Sequence, residues 1–314
     1  MSKIITITFS PALDKSISVQ ELVPERKLKC SAPVYEPGGG GINVSRAIKK
    51  LGGESIAVYL AGGFAGQEIT RLLTAECIQA FVTDIQNPTR ENLVVTDLEH
   101  HKQYLFDLPG TKVNEHEWQA CLQTIEYVPA DFIVVSGSLP PGVPADVFKD
   151  LALIAKRKNG RLVVDTSGDA LRAALQAGVY LIKPNLREMG LLAGKQDIDT
   201  ILAVDFAKEL IKGGKCEVVV LSLAGSGAIL ISKDIVVHIY PPEVKVKSTV
   251  GAGDSLLAGL VLSLENKKSL EEAVNYGVAC GTAATMSPGT ELCTKKQADH
   301  LYHLMTNKAV VQSI

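Results

Sequence analysis

Phe132-Ile133-Val134-Val135-Ser136-Gly137-Ser138-Leu139-Pro140-Pro141-Gly142 sets the architecture of the chain. Its apolar run reads as a strand buried on both faces, and the Ser-, Gly- and Pro-rich residues behind it end the strand. The pattern returns downstream. Leu162 to Val164 ends in Asp165-Thr166-Ser167, Tyr180 to Ile182 ends in Lys183-Pro184-Asn185-Leu186-Arg187-Glu188, and Val218 to Leu221 ends in Ser222-Leu223-Ala224-Gly225-Ser226-Gly227. A helical pattern follows each, so the chain reads as α/β: a mostly parallel central sheet with helices on both faces. The carboxyl ends of such strands share one edge, where ligands bind.

Toward the N-terminus, residues 4 to 9 and Ile56 to Leu60 read as further strands of this sheet. Asp14 follows the first, either as a ligand at a strand end or as a turn residue behind Pro11. Other runs differ. Ser16 to Val19, Lys29 to Tyr35, Asn92 to Asp97 and Gln103 to Leu108 alternate polar and apolar residues, as half-exposed strands do. They predict a small β-sheet lid, inserted at about 15–35 and 90–108 into a single domain of 1–314. Glu99-His100-His101-Lys102 would be a hairpin tip with solvated histidines, and Arg90 taken alone is a solvated cation.

Two glycine-rich stretches carry chemistry. In Ser248-Thr249-Val250-Gly251-Ala252-Gly253-Asp254-Ser255 the amides of Gly251, Ala252 and Gly253 open an apolar helix, an end that attracts anions. Asp254 in its first turn is a candidate base for phosphoryl transfer, although an ordinary capped helix reads equally well. Glu36-Pro37-Gly38-Gly39-Gly40-Gly41-Ile42-Asn43-Val44 leads into an amphipathic helix. Its consecutive glycines are tolerated most easily if something lies against the bare backbone, and a ligand is favoured over a linker.

The balance of 32 basic and 34 acidic residues, net −2, offers no global attraction to nucleic acid or membrane, so an anion site must be local. Neither a signal peptide nor a membrane-spanning run is read, and the six scattered cysteines fit a reduced, cytoplasmic protein. There is no Gly-x-x-x-x-Gly-Lys-Ser/Thr loop and no Gly-x-Gly-x-x-Gly fingerprint. His300 and His303 lie three apart on a C-terminal helix without a third metal ligand in view.

Gly38 to Asn43, Asn185-Leu186-Arg187-Glu188 and Gly251-Ala252-Gly253-Asp254, in that order, resemble the signatures of the ribokinase-like (PfkB) carbohydrate kinases. The resemblance implies a ribokinase-like fold and an ATP- and Mg²⁺-dependent kinase. Asp254 would be the base, with Gly251, Ala252 and Gly253 holding the transferring phosphoryl. Asn185 and, through water, Glu188 would serve the nucleotide phosphates and Mg²⁺; Lys183 would face those phosphates, and Ser222, Gly225, Gly227 and Thr249 would line the nucleotide. A monovalent cation, K⁺, would sit by Ser248, Val250, Ala284, Ser287 and Gly289. Asp14, Gly39, Gly40, Asn43 and Ser138 would take the sugar, with Lys27 and Arg90 on a phosphate it already carries. The expected reaction is phosphorylation of fructose 6-phosphate at the 1-hydroxyl, by a homodimer joined through the lid. Fructose 1-phosphate and tagatose 6-phosphate are alternative substrates, and a catalytically silent nucleotide or sugar sensor is the non-enzyme alternative. Two residues depart from the family pattern: Ala224 replaces a glycine, which strains the loop if its φ is positive, and Glu291 replaces an arginine near the cation site.

Overall fold

The computed structural model describes residues 3–287, 289 and 291–311. In chain order the strands are β1 (Ile4–Thr8), β2 (Ala12–Val19), β3 (Val34–Gly38), β4 (Ile56–Ala61), β5 (Gln79–Asp84), β6 (Arg90–Asp97) and β7 (Lys102–Phe106). They continue as β8 (Phe132–Ser136), β9 (Arg161–Asp165), β10 (Val179–Ile182), β11 (Cys216–Ser222), β12 (Ala228–Ser232) and β13 (Val236–Ile239). A nine-stranded sheet runs β13-β12-β11-β10-β9-β8-β1-β4-β5. From β5 to β11 every neighbouring pair is parallel, and the β12–β13 hairpin adds an antiparallel edge.

Side chains alternate across each strand, so a continuous apolar run feeds two cores. One face presents Ile5, Ile7, Ile133, Val135, Val164 and Val219, packed with Trp118, Phe148 and Ala207 from the helices Glu115–Tyr127, Val147–Arg157 and Thr200–Lys212. The other presents Ile4, Val134, Val163, Leu181 and Val218 to the helices Gly40–Lys50, Ala252–Glu265 and Leu270–Thr285. The register sets Val135 beside Ile7 and Ser136 beside Asp165, which lines up the carboxyl ends on one edge.

The small sheet runs β3-β2-β6-β7. β2 and β6 are parallel, while β2–β3 and β6–β7 are antiparallel, so Asp14 lies directly between Glu36 and Asn92. Its strands differ from the expected ones at their ends. β2 begins at Ala12 and β3 spans Val34–Gly38, because Ala12 and Leu13 pair with Gly38 and Pro37, drawing the start of the glycine run into the sheet. At the β6–β7 turn His100 is no bare tip: its N–H donates to Asp97 Oδ1 at 2.9 Å, and its Nδ1 lies 3.0 Å from Oδ2. Neither β5 nor the β12–β13 hairpin is among the strands expected from the sequence, although Ala228 to Ile231 and Ile235 to Val237 flank a polar turn; β5 is a largely exposed edge strand.

Candidate active site

The four consecutive glycines are wedged among protein atoms. A Cβ on Gly38 would collide with the Asp14 carboxylate, on Gly40 with Ser136 Oγ, and on Gly41 with the Ile7 carbonyl, while Gly39 has φ +113°. Protein packing therefore explains much of the bareness that pointed to a ligand. The wedge sets the start of helix Gly40–Lys50 against the ends of β1 and β8, and Asn43 in its first turn reaches the second glycine stretch. Asn43 Nδ2 donates to Asp254 Oδ2 at 3.0 Å.

Gly251 caps helix Ala252–Glu265 with φ +73°, a left-handed conformation suited to glycine, and Asp254 falls in the first turn. Burial raises the Asp254 carboxyl to about 6, and Asp165 adds to the rise; hydrogen bonds from Asn43 and Ser136 and the charge of Lys183 oppose it. At neutral pH the group is mainly ionised. Lys183 Nζ stands 3.1 Å from Asp165 Oδ2, and a Cβ built on Gly253 would lie 3.4 Å from that ammonium. Burial by itself would lower the Lys183 pKa, but Asp165, Asp254 and Glu188 outweigh it and hold the ammonium charged.

Asn185 and Glu188 bind each other's backbone: the Asn185 N–H donates to Glu188 Oε2 and the Glu188 N–H to Asn185 Oδ1, both at 2.9 Å. The motif is thus a capping box for helix Leu186–Leu192. It leaves carboxylate lone pairs for a further ligand. Burial raises the Glu188 pKa, and the Asn185 N–H opposes the rise. Asp165, Glu188 and Asp254 all act on Lys183, and their negative charge exceeds its own. Among the described residues no group of three or more His, Cys, Asp or Glu is placed to grip a metal directly. Spaced carboxylates of this kind suit Mg²⁺, a hard ion that keeps part of its water shell and can be held through it.

Nearby, Ser222 Oγ donates to the Pro184 carbonyl at 3.2 Å. Gly225 and Thr249 are exposed, and Gly227 has φ +87° with no room for a side chain beside the Ile239 carbonyl. Ala224 does adopt a positive φ, +50°, so the loop carries the strain that replacing a glycine there implies. Ser248 Oγ donates to the Gly289 carbonyl at 2.6 Å and accepts from the Val250 N–H at 3.2 Å; the Ser287 N–H donates to the Ala284 carbonyl at 3.1 Å. These contacts draw the residues expected around a monovalent cation into two adjoining segments. Glu291 is exposed.

In the small sheet, burial raises Asp14 to about 6; Asn92 Nδ2, donating to Asp14 Oδ1 at 2.9 Å, opposes the rise, Glu36 adds to it, and Arg90 and Arg46 oppose it. Arg90 begins β6 and is not the solvated cation that it resembles in isolation, because its side chain lies largely inside the small sheet's contact with the following segment. Ser138 is exposed on the loop after β8. Lys27 lies on the exposed loop between β2 and β3, and no hydrogen bond or ion pair among the described residues ties it to the site. Sequence reasoning gives no role to Asp165, Ser136 or Asn92. The first two end apolar strands, as Lys183 follows one, and that position on the ligand-binding edge is the signal that could have found them; Asn92 shares a face with Arg90 two residues away. A cleft of about 1110 Å³ opens at the opposite edge, by the first residues of β9 to β11, but it mixes Lys149, Lys156, Arg161 and Glu217 without converging on a reactive group.

The sequence matches the pfkB family carbohydrate kinase profile over residues 7–297. It is 40% identical over 304 residues to the ATP-dependent 6-phosphofructokinase isozyme 2 of Escherichia coli K12, covering 96% of this chain and 98% of that one. The isozyme 2 of Mycobacterium tuberculosis CDC 1551 is 38% identical, covering 96% and 89%. The crystal structure of phosphofructokinase-2 from E. coli in complex with potassium superimposes with a TM-score of 0.93 at 39% identity, over 98% of this chain and 100% of that chain.

Proposed function

The chain belongs to the pfkB family of carbohydrate kinases, and we propose that it transfers the terminal phosphoryl group of ATP to the 1-hydroxyl of fructose 6-phosphate. The observation that carries this reading is Asp254, held by Asn43 at the glycine-capped start of a helix and beside Lys183. Asp254 accepts the hydroxyl proton while that oxygen bonds to phosphorus and the bridging oxygen leaves with ADP. The amides of Gly251, Ala252 and Gly253, with Lys183, stabilise the charge on the moving phosphoryl. Asn185 and Glu188, with Asp165, would hold hydrated Mg²⁺, which when bound neutralises phosphate charge. Ser222, Gly225, Gly227 and Thr249 line the nucleotide.

Asp14 accepts from sugar hydroxyls, Gly39, Gly40, Asn43 and Ser138 position the ring, and Arg90 and Lys27 pair with the 6-phosphate. The small sheet acts as the lid of a single kinase domain and joins two copies. Ser248, Val250, Ala284, Ser287 and Gly289 would hold K⁺, a reading supported by the potassium complex of the E. coli relative. The test is ADP production with fructose 6-phosphate, fructose 1-phosphate and tagatose 6-phosphate side by side. The highest kcat/KM is expected for the first; a tenfold preference for either of the others overturns the substrate assignment.

A further inference from the structure

Arg90 is largely buried, its side chain 14% exposed, and Nη1 donates to two acceptors on the segment after β7: Asp107 Oδ1 at 2.7 Å and the Leu108 carbonyl at 2.6 Å. Its Nε is buried and has no hydrogen-bond partner, so the guanidinium fork is only part-filled. Asn92, on the same face of β6, holds the same segment by accepting from the Leu108 N–H at 3.2 Å, while its amide donates to Asp14. Asp107 itself is 73% exposed, and the backbone of 107–110 has no regular structure. The carboxylate thus sits on an irregular segment with its own side chain open to solvent, against a largely buried guanidinium.

We infer that Asp107 is a specificity-determining residue: its carboxylate occupies on Arg90 the place of the sugar's phosphate and gives way to it. This rests on the reading of Arg90 as the phosphate site. A largely buried guanidinium without an anion is unfavourable, and Asp107 neutralises it in the free protein. A phosphate carries more charge and more acceptor oxygens than a carboxylate, and so wins the exchange. A neutral sugar brings nothing to exchange and leaves the ion pair in place. The affinity gained from the substrate's phosphate is then the difference between two ion pairs.

The test compares steady-state kinetics of the full-length wild type, Asp107→Asn, Asp107→Ala, Arg90→Ala and the Asp107→Asn/Arg90→Ala double variant. Removing the competitor is expected to lower the KM for fructose 6-phosphate by roughly two- to fivefold, the scale of an ion pair whose carboxylate is open to solvent. The gap should narrow as salt is raised, and vanish in the Arg90→Ala background. If Arg90→Ala raises KM while the Asp107 variants leave it unchanged or raise it, the inference is overturned alone. An unchanged KM in Arg90→Ala overturns the phosphate assignment, and this inference with it.

Discussion

Asp254 is held between influences of opposite sign: burial and Asp165 favour its protonated form, while Asn43, Ser136 and Lys183 favour the carboxylate. Its value of about 6 keeps it ionised at neutral pH, yet basic enough to take a proton. Asp254→Asn should lower kcat by roughly 10²- to 10⁴-fold. ATP affinity, measured by calorimetry, should change little; loss of ATP binding without a specific loss of turnover would contradict the assigned role. Because the proposed base acts in its deprotonated form, kcat/KM, which follows the free enzyme, should fall as pH drops through about 6. Asn43→Ala removes a hydrogen bond to the ionised form, so the acid limb should move to higher pH. A limb that stays in place would show that another group titrates.

Helix Ala252–Glu265 carries Asp254, the proposed base, and packs closely against Leu270–Thr285. A Cβ on Gly277 would lie 2.8 Å from the Leu256 carbonyl, and one on Gly281 would lie 3.0 Å from the Ala252 carbonyl. Gly277→Ala must push the helices apart, and is expected to destabilise the protein by roughly 1–3 kcal/mol. Thermal unfolding would register this as a lower Tm; an unchanged Tm would mean that the seam has slack. The loops flanking these helices meet through Ser248 and Gly289. If they hold K⁺ against the anion site, replacing K⁺ with tetramethylammonium should lower kcat, and equal rates in both salts would remove the cation from the scheme.

Across the molecule as a unit, the small sheet exposes Val34, Tyr104, Leu105 and Phe106, with Leu105 56% exposed. Apolar residues along an edge strand favour pairing with another copy. Sedimentation should find a dimer at micromolar concentration, and Leu105→Asp should shift it toward monomer while the far-ultraviolet circular dichroism is retained. A wild type that sediments as a monomer would refute the shared lid. Among the described residues no helix is long and apolar enough to cross a membrane.

The parallel centre of the large sheet, from β4 to β11 in its strand order, was legible from the residues alone, because a strand buried on both faces must be apolar throughout and its polar ends must follow immediately, whereas the edge strands β5, β12 and β13 came only with the structure. Gly251 to Asp254 were equally visible, since a glycine cap and a first-turn carboxylate are local features, and so was the consequence of a positive φ at Ala224. The partners of these groups came only with the folded chain. Asn43 reaches Asp254 across 211 positions and Asn92 reaches Asp14 across 78, while Asp165 becomes part of the site only because β9 lies beside β8 and β10. Periodicity and turn chemistry act between near neighbours, whereas strand order and register are settled by how the whole chain buries its apolar faces.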